Sequence, residues 1–391
     1  MKLFERNPIN TGRQVEADFA KMICIIGMII VHAFEETESM FPLCGGGSGG
    51  IGFVFVVVLD ALFGAATFMF CMGFGITYSP KNDAPSLIKR GAKLLLYGYI
   101  LNAVRYCVPE LLNGIITGDM TLFRDDWMME LFGTDILLFA GLALMLFGLL
   151  KKLKASDLVM VIVALVMSVL GSFLRNFDLG AMLGVTEEAP NLIINQIAAL
   201  FVGTTYLSDP ELELSCFPLF NWFIFVVAGY LFAKALQRCK EKGKFYAIVS
   251  GCGAVILAVY MLIAIPNRIG MMNENLNLFY HLTTPEAFIC IAASIAVLGG
   301  YYGLSRLLPD IVSGIAVWIS KRLTNIYVIQ WILIGFTMVG IYTAEQLRGN
   351  DPDALIIGTG TTLIIAVCVL AASVALAGLY RNVKKKVVKA K

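Results

Sequence analysis

The sequence predicts an all-α, polytopic membrane helix bundle of about ten transmembrane helices, and three observations predict it. Of 391 residues, 58% are hydrophobic and only 15% are charged, against about 25% charged in a soluble domain. The apolar residues run in blocks long enough to cross about 30 Å of hydrocarbon, without the polar back of an amphipathic soluble helix. The basic residues collect in short segments between these blocks, on alternate connections.

The spans fall at roughly 17–34, 53–78, 86–107, 131–150, 156–174, 217–236, 245–265, 285–305, 322–342 and 354–380. The first is apolar except for Asp18, Lys21 and a terminal His32, and no small-residue cleavage site follows it, so it does not read as a signal peptide. The second follows the Gly-rich turn at Cys44–Gly50 and contains Asp60. That turn lacks the Gly-Lys-Ser/Thr ending of a phosphate loop. The third opens on Lys89, Arg90 and Lys93 and closes on Asn102 and Arg105. The fourth is preceded by Asp126-Trp127, holds Asp135 near its start, and ends at Lys151, Lys152 and Lys154, where the fifth begins. The sixth and seventh are joined by Arg238, Lys240, Lys242 and Lys244; the eighth follows His281 and ends at Arg306. The ninth starts at Lys321-Arg322, and the tenth runs into the basic tail at 381–391.

With the N-terminus inside, 25 of the 30 basic residues face the cytoplasm, and only Arg105, Arg124, Arg175, Arg268 and Arg348 face out. The positive-inside rule therefore places both termini in the cytoplasm. It also decides residues 191–207, which are apolar enough to span: an eleventh crossing would put every later basic segment outside. They are expected to form a re-entrant or interfacial helix, part of an acidic outer cap built from 108–130 and 175–216. The whole chain is read as one integral membrane domain in the plasma membrane, with the bilayer as its surroundings and its oligomeric state undetermined.

The net charge of +2 and the scatter of basic residues over short connections exclude nucleic-acid binding. Most of the nine cysteines lie within apolar blocks and act as small hydrophobes. Cys44, Cys107 and Cys216 fall near the outer side, where a disulfide is weakly supported. No metal site is expected.

Charged groups at membrane depth are costly and mark function or a buried partner. Asp18, Lys21, Ile25, Met28 and His32 recur at spacings of 3, 4, 3 and 4, on one face of the first helix. Eleven residues separate Lys21 from His32, about 16 Å along the axis and about 20° in azimuth. A cation near the cytoplasm thus lines up with an imidazole near the outside. The alternatives are a snorkelling lysine and an interfacial histidine. His281 reads as a second acid/base or an ordinary loop residue. Asp60, Asn102, Arg105, Asp126, Trp127 and Asp135 suit a polar outer vestibule, with an Asp60–Arg105 structural pair as the alternative. Lys89, Arg90 and Lys93 suit either a phosphorylated ligand or anionic lipid heads.

The first span resembles the signature helix of the transmembrane acyltransferases, both acyltransferase family three and the related heparan-α-glucosaminide N-acetyltransferase group. Their Leu-Asp-x-x-Arg/Lys followed by an outer His corresponds to Asp18-x-x-Lys21 and His32, with Ala17 in place of Leu. Phe217-Pro218-Leu219-Phe220-Asn221-Trp222 running into Ala228-Gly229-Tyr230 is similar to a second helix of the heparan-type group, with Asn221 where Pro is frequent. Ser320-Lys321-Arg322-Leu323-Thr324-Asn325-Ile326-Tyr327-Val328-Ile329-Gln330 resembles a third, with Gln330 where His is frequent.

The resemblance implies an acyltransferase that moves an acetyl or similar group from cytoplasmic acetyl-CoA, or another acyl-CoA, to a hydroxyl or amine of an extracytoplasmic glycan or envelope acceptor. Arg13, Asp18, Lys21, Lys89, Arg90 and Lys93 would serve the donor, and His32, oriented by Asp60, would act as base or acyl carrier. Asn102, Arg105, Asp126, Trp127, Asp135, Trp222, His281, Tyr327 and Gln330 are the acceptor-side candidates. The competing reading is a multi-spanning transporter of a small polar or anionic solute. It would normally carry repeats in its two halves, and none is evident.

Overall fold

The computed structural model describes residues 3–37, 64–174, 192–203, 216–267, 269, 280–352, 355 and 357–389. Among these the secondary structure is helical, with no strand and one isolated bridge, Phe4 to Cys239. The helices are α1 (Val15–Glu36), α2 (Ala65–Tyr78), α3 (Ala84–Asn102), α4 (Val108–Thr117), α5 (Thr121–Phe132), α6 (Ile136–Lys152), α7 (Asp157–Leu174) and α8 (Leu192–Phe201). They continue as α9 (Leu219–Arg238), α10 (Lys242–Asn267), α11 (Thr284–Leu307), α12 (Asp310–Ser320), α13 (Leu323–Leu347) and α14 (Thr359–Lys389).

Each of the ten expected spans coincides with a helix over its described residues. Eight helices among the described residues are long and apolar enough to cross a membrane on their own. The other two spans are α2, whose expected first half lies outside the described residues, and α3, which carries Lys89, Arg90 and Lys93. The chain is therefore an all-α, multi-pass membrane protein. α8 has ten residues, about 15 Å of rise, half the hydrocarbon thickness, as a re-entrant or interfacial helix requires. The rest of the expected cap at 175–191 and 204–215, the Gly-rich turn, Cys44 and Asp60 lie outside the described residues.

Two features differ from the sequence reading. α3 does not stop near residue 107 but passes through a π-helical turn, Ala103–Cys107, directly into α4. Pro109 stands in the first turn of α4, where a missing N–H is tolerated. α12 is an additional short apolar helix in a segment read only as a basic connection.

The chain divides into two compact units. The first comprises Met1–Ala20, Val56–Gly98 and Gly133–Leu308; the second comprises Lys21–Phe55, Tyr99–Phe132 and Pro309–Lys391.

In the first unit α9 is buried on most of its circumference, with Trp222, Phe223, Phe225 and Val226 fully enclosed. It crosses α2 at two glycines: a Cβ on Gly73 would overlap the Val226 carbonyl, and one on Gly229 the Phe70 carbonyl. Small residues that let backbones touch are the usual device for packing helices in lipid, where no hydrophobic force drives association. Gly229→Ala should therefore destabilise the protein by about 1–3 kcal/mol. Gly300→Ala, at an α11 position with open space around it, should be neutral or stabilising because alanine favours helix. Thermal unfolding of the two proteins in the same detergent checks the contrast.

The N-terminal strap belongs to the same unit and caps α9. The Asn10 side-chain amide donates to the carbonyls of Leu236 (3.0 Å) and Cys239 (2.5 Å), and Lys240 pairs with Glu5 at 2.6 Å. The two Asn10 bonds satisfy carbonyls that a helix C-terminus leaves open.

In the second unit α13 is the central element, packed against α14, α4 and the π-turn. Asn113 of α4 donates to Thr343 (2.9 Å) and Gln346 (3.1 Å) of α13, and a hydroxyl–hydroxyl bond joins Thr37 to Thr362 (2.9 Å). A Cβ on Gly335 would overlap the carbonyl of Arg105, so α13 and the π-turn meet backbone to backbone.

Candidate active site

The second unit gathers a polar and aromatic cluster around His32. The histidine lies on α1, part-buried, with Nδ1 facing the side-chain amide of Gln330 on α13: Gln330 Nε2 is 3.1 Å away and Oε1 3.5 Å. Its ring stacks on Trp331 with centroids 4.1 Å apart and planes inclined by 26°, and Tyr327 meets it edge-on at 6.3 Å. Gln330 and Trp331 are adjacent, and Tyr327 lies one helical turn before Trp331, so a single stretch of α13 supplies three walls of the imidazole.

The π-turn supplies the cation. π-turns are often found at functional sites because the extra residue re-aims the side chains that follow. Here Arg105 is buried, with its guanidinium carbon 4.2 Å from the Trp331 ring centroid and 4.4 Å from that of Tyr106. Such contacts are worth more when the cation is desolvated. Tyr106 donates from its hydroxyl to Glu36 Oε1 at 3.0 Å, and Glu36 stands one turn beyond His32 on α1. The buried Asn102 turns its amide to the carbonyl of Leu131 at 3.1 Å, fastening α5 beside the π-turn.

Of the sequence candidates, His32, Arg105, Tyr327 and Gln330 meet in this cluster, and Lys21 lies on the same helix, partly exposed. Trp127 is in the same unit, where its carbonyl accepts from the Cys107 thiol at 3.6 Å. Cys107 forms no disulfide among the described residues. Asp126 is on α5.

The other candidates belong to the first unit. Arg13 forms a bidentate pair with Asp18 (2.6 and 2.7 Å), so Asp18 is engaged upstream in the chain. Glu16, also buried, accepts from Tyr246 and Lys242, both at 2.9 Å. Lys89, Arg90 and Lys93 are exposed on α3, with Lys93 resting over Tyr97 at 5.1 Å. Asp135 is the N-cap of α6, accepting from the backbone of Leu137 (2.8 Å) and Leu138 (3.2 Å). Trp222 is enclosed in the core and donates to the Tyr280 carbonyl at 2.7 Å. His281 is fully buried against Gly203, whose φ of +94° a side chain would not tolerate. Its segment is fastened by Asn221, which donates to the Leu282 carbonyl at 2.8 Å.

Sequence reasoning missed Trp331, Tyr106 and Glu36. Glu36 follows His32 by four residues, and so shares its face. The aromatics gave no separate signal, since Trp and Tyr are ordinary in membrane helices near the interface.

The family model described as heparan-alpha-glucosaminide N-acetyltransferase, catalytic, matches residues 13–265. Searches among curated proteins and solved structures found no match.

Proposed function

Because the chain belongs to the heparan-alpha-glucosaminide N-acetyltransferase catalytic family, we propose that it transfers an acetyl group from acetyl-CoA, taken at the cytoplasmic face, to an amine or hydroxyl of a glycan on the other side. The observation that carries this reading is the α1 face. It holds a lysine at one end and, about 16 Å along, a histidine with one ring nitrogen hydrogen-bonded and its plane fixed by stacking. Both termini are assigned to the cytoplasm on the distribution of the basic residues, and the plasma membrane is taken as the site of action.

The chemistry needs a base where the acceptor meets the thioester. As the acceptor N–H or O–H attacks the acetyl carbonyl, His32 Nε2 takes its proton. The C–S bond then breaks, and CoA leaves as thiolate and is protonated to the thiol. A neutral imidazole with a free ring nitrogen is the usual general base for such a proton transfer. Arg105 supplies fixed positive charge beside the ring for the oxyanion that develops. Lys21 is assigned to the donor.

Purified protein in liposomes, given radiolabelled acetyl-CoA outside and glucosamine inside, should release CoA thiol and form enclosed labelled product. Escape of glucosamine from the liposomes without donor, and without CoA release, would favour a transporter. Lys21→Gln should raise KM for acetyl-CoA about tenfold with kcat little changed. Losing one charge-assisted contact costs about 1.5 kcal/mol, roughly a factor of ten, and ground-state binding appears in KM.

A further inference from the structure

We propose that Gln330 is a positioning residue that keeps the proton of His32 on Nδ1, so that Nε2 presents its lone pair to the acceptor. The inference rests on the base role given to His32 above. A neutral imidazole carries one proton, and the hydrogen bond made by one nitrogen decides the state of the other. Two observations place that decision at Gln330. Its side chain is fully buried, and among the described residues its amide bonds to His32 Nδ1. The His32 ring is held in plane by Trp331 and met at its edge by Tyr327, and a half-turn within that plane would bring a carbon, not Nε2, to the amide.

The donor Nε2 is the nearer atom in this structure, 3.1 Å from Nδ1 against 3.5 Å for Oε1, but amide oxygen and nitrogen are exchanged by a half-turn of the terminal bond, so the chemistry of the pair and not this orientation decides which one faces the ring. With –NH2 inward, the imidazole proton is forced onto Nε2, which can then only donate. With Oε1 inward, Nδ1–H donates to the carbonyl and Nε2 is free. Only the second arrangement gives a base. A histidine at position 330 would bring a proton inventory of its own; glutamine has none to exchange, which leaves His32 as the one group of the pair that titrates.

The chain has two histidines, His32 and His281, so ¹⁵N-histidine labelling of the full-length protein in detergent gives two sets of ring signals. The His32→Gln protein identifies those of His281. In the parent, His32 is expected to show a protonated Nδ1 and an unprotonated Nε2. Gln330→Ala should redistribute the proton between the two nitrogens and lower kcat at least tenfold, with KM for acetyl-CoA unchanged. Gln330→Glu removes the donor end and keeps the acceptor, and should retain the parent's tautomer. A parent proton on Nε2, or a tautomer that does not respond to Gln330→Ala, overturns the inference. If the tautomers behave as expected but CoA is never released from acetyl-CoA, the transferase reading falls and the role of Gln330 in holding the ring stands.

Discussion

His32→Gln and His32→Ala should each reduce acetyl transfer by about 10²–10⁴-fold, the usual contribution of a general base, while leaving the protein inserted and folded. The two replacements separate the explanations. Glutamine keeps most of the volume against Trp331 and can still bond to Gln330, but it cannot take a proton near neutrality. Alanine also removes the stack, at centroid separation 4.1 Å, and the hydrogen bond. If chemistry is the role, the two losses are similar and sit in kcat. If packing is the role, glutamine is nearly silent and alanine shows its defect in thermal unfolding. CoA-thiol release measured alongside unfolding temperature decides it, and a glutamine variant within threefold of the parent would end the case for proton transfer at this position.

The membrane architecture was legible because it rests on local quantities, namely block length, charge content and the side on which Lys and Arg collect. α1 was legible for a related reason. Lys21 and His32 belong to one helix, so their spacing alone fixes their common face. Gln330 entered through a motif, as a departure from a histidine, and its contact with His32 was not foreseeable: residues 298 apart meet only through the packing of α13. Arg105 was noticed for its charge, but its setting depends on a π-turn that no periodicity announces. The polar residues read as a vestibule divide once their bonds are known. Asp135 caps α6, as an Asp ahead of an apolar run commonly does. The capping box of α11, in which Thr283 and Glu286 bond reciprocally, was written in Thr283-Thr284-Pro285-Glu286, and it explains why His281 just ahead of it is held in a fixed, buried segment. What the sequence withheld was the choice between a polar residue that serves a helix end and one that faces a partner across the bundle. That choice is made by tertiary packing.

Gly335→Ala should lower activity about 100-fold although the residue meets only the backbone of Arg105 and is no part of the side-chain cluster around His32. Gly335 follows Trp331 by one turn of α13, and a methyl group there would overlap the Arg105 carbonyl. The contact is backbone on backbone, so no side chain can swing aside. Either α13 withdraws from the π-turn, or the turn itself shifts. Both movements act on the same pair of groups, because Arg105 leaves from the displaced carbonyl's own residue and its guanidinium lies 4.2 Å from the Trp331 ring, which in turn backs the imidazole. A displacement on the order of 1 Å in such a constellation costs about 10²-fold, and the overpacking itself costs about 1–3 kcal/mol. Gly340→Ala is the matched control, five residues on along α13 with open space around it. There alanine should leave rate and unfolding temperature unchanged or slightly raise the latter. Equal behaviour of the two variants would mean that the α13–π-turn contact does not set the geometry at His32. A rate lost at Gly335 alone, with the protein still folded, would mean that the imidazole depends on a crossing of two backbones as much as on its own hydrogen bond.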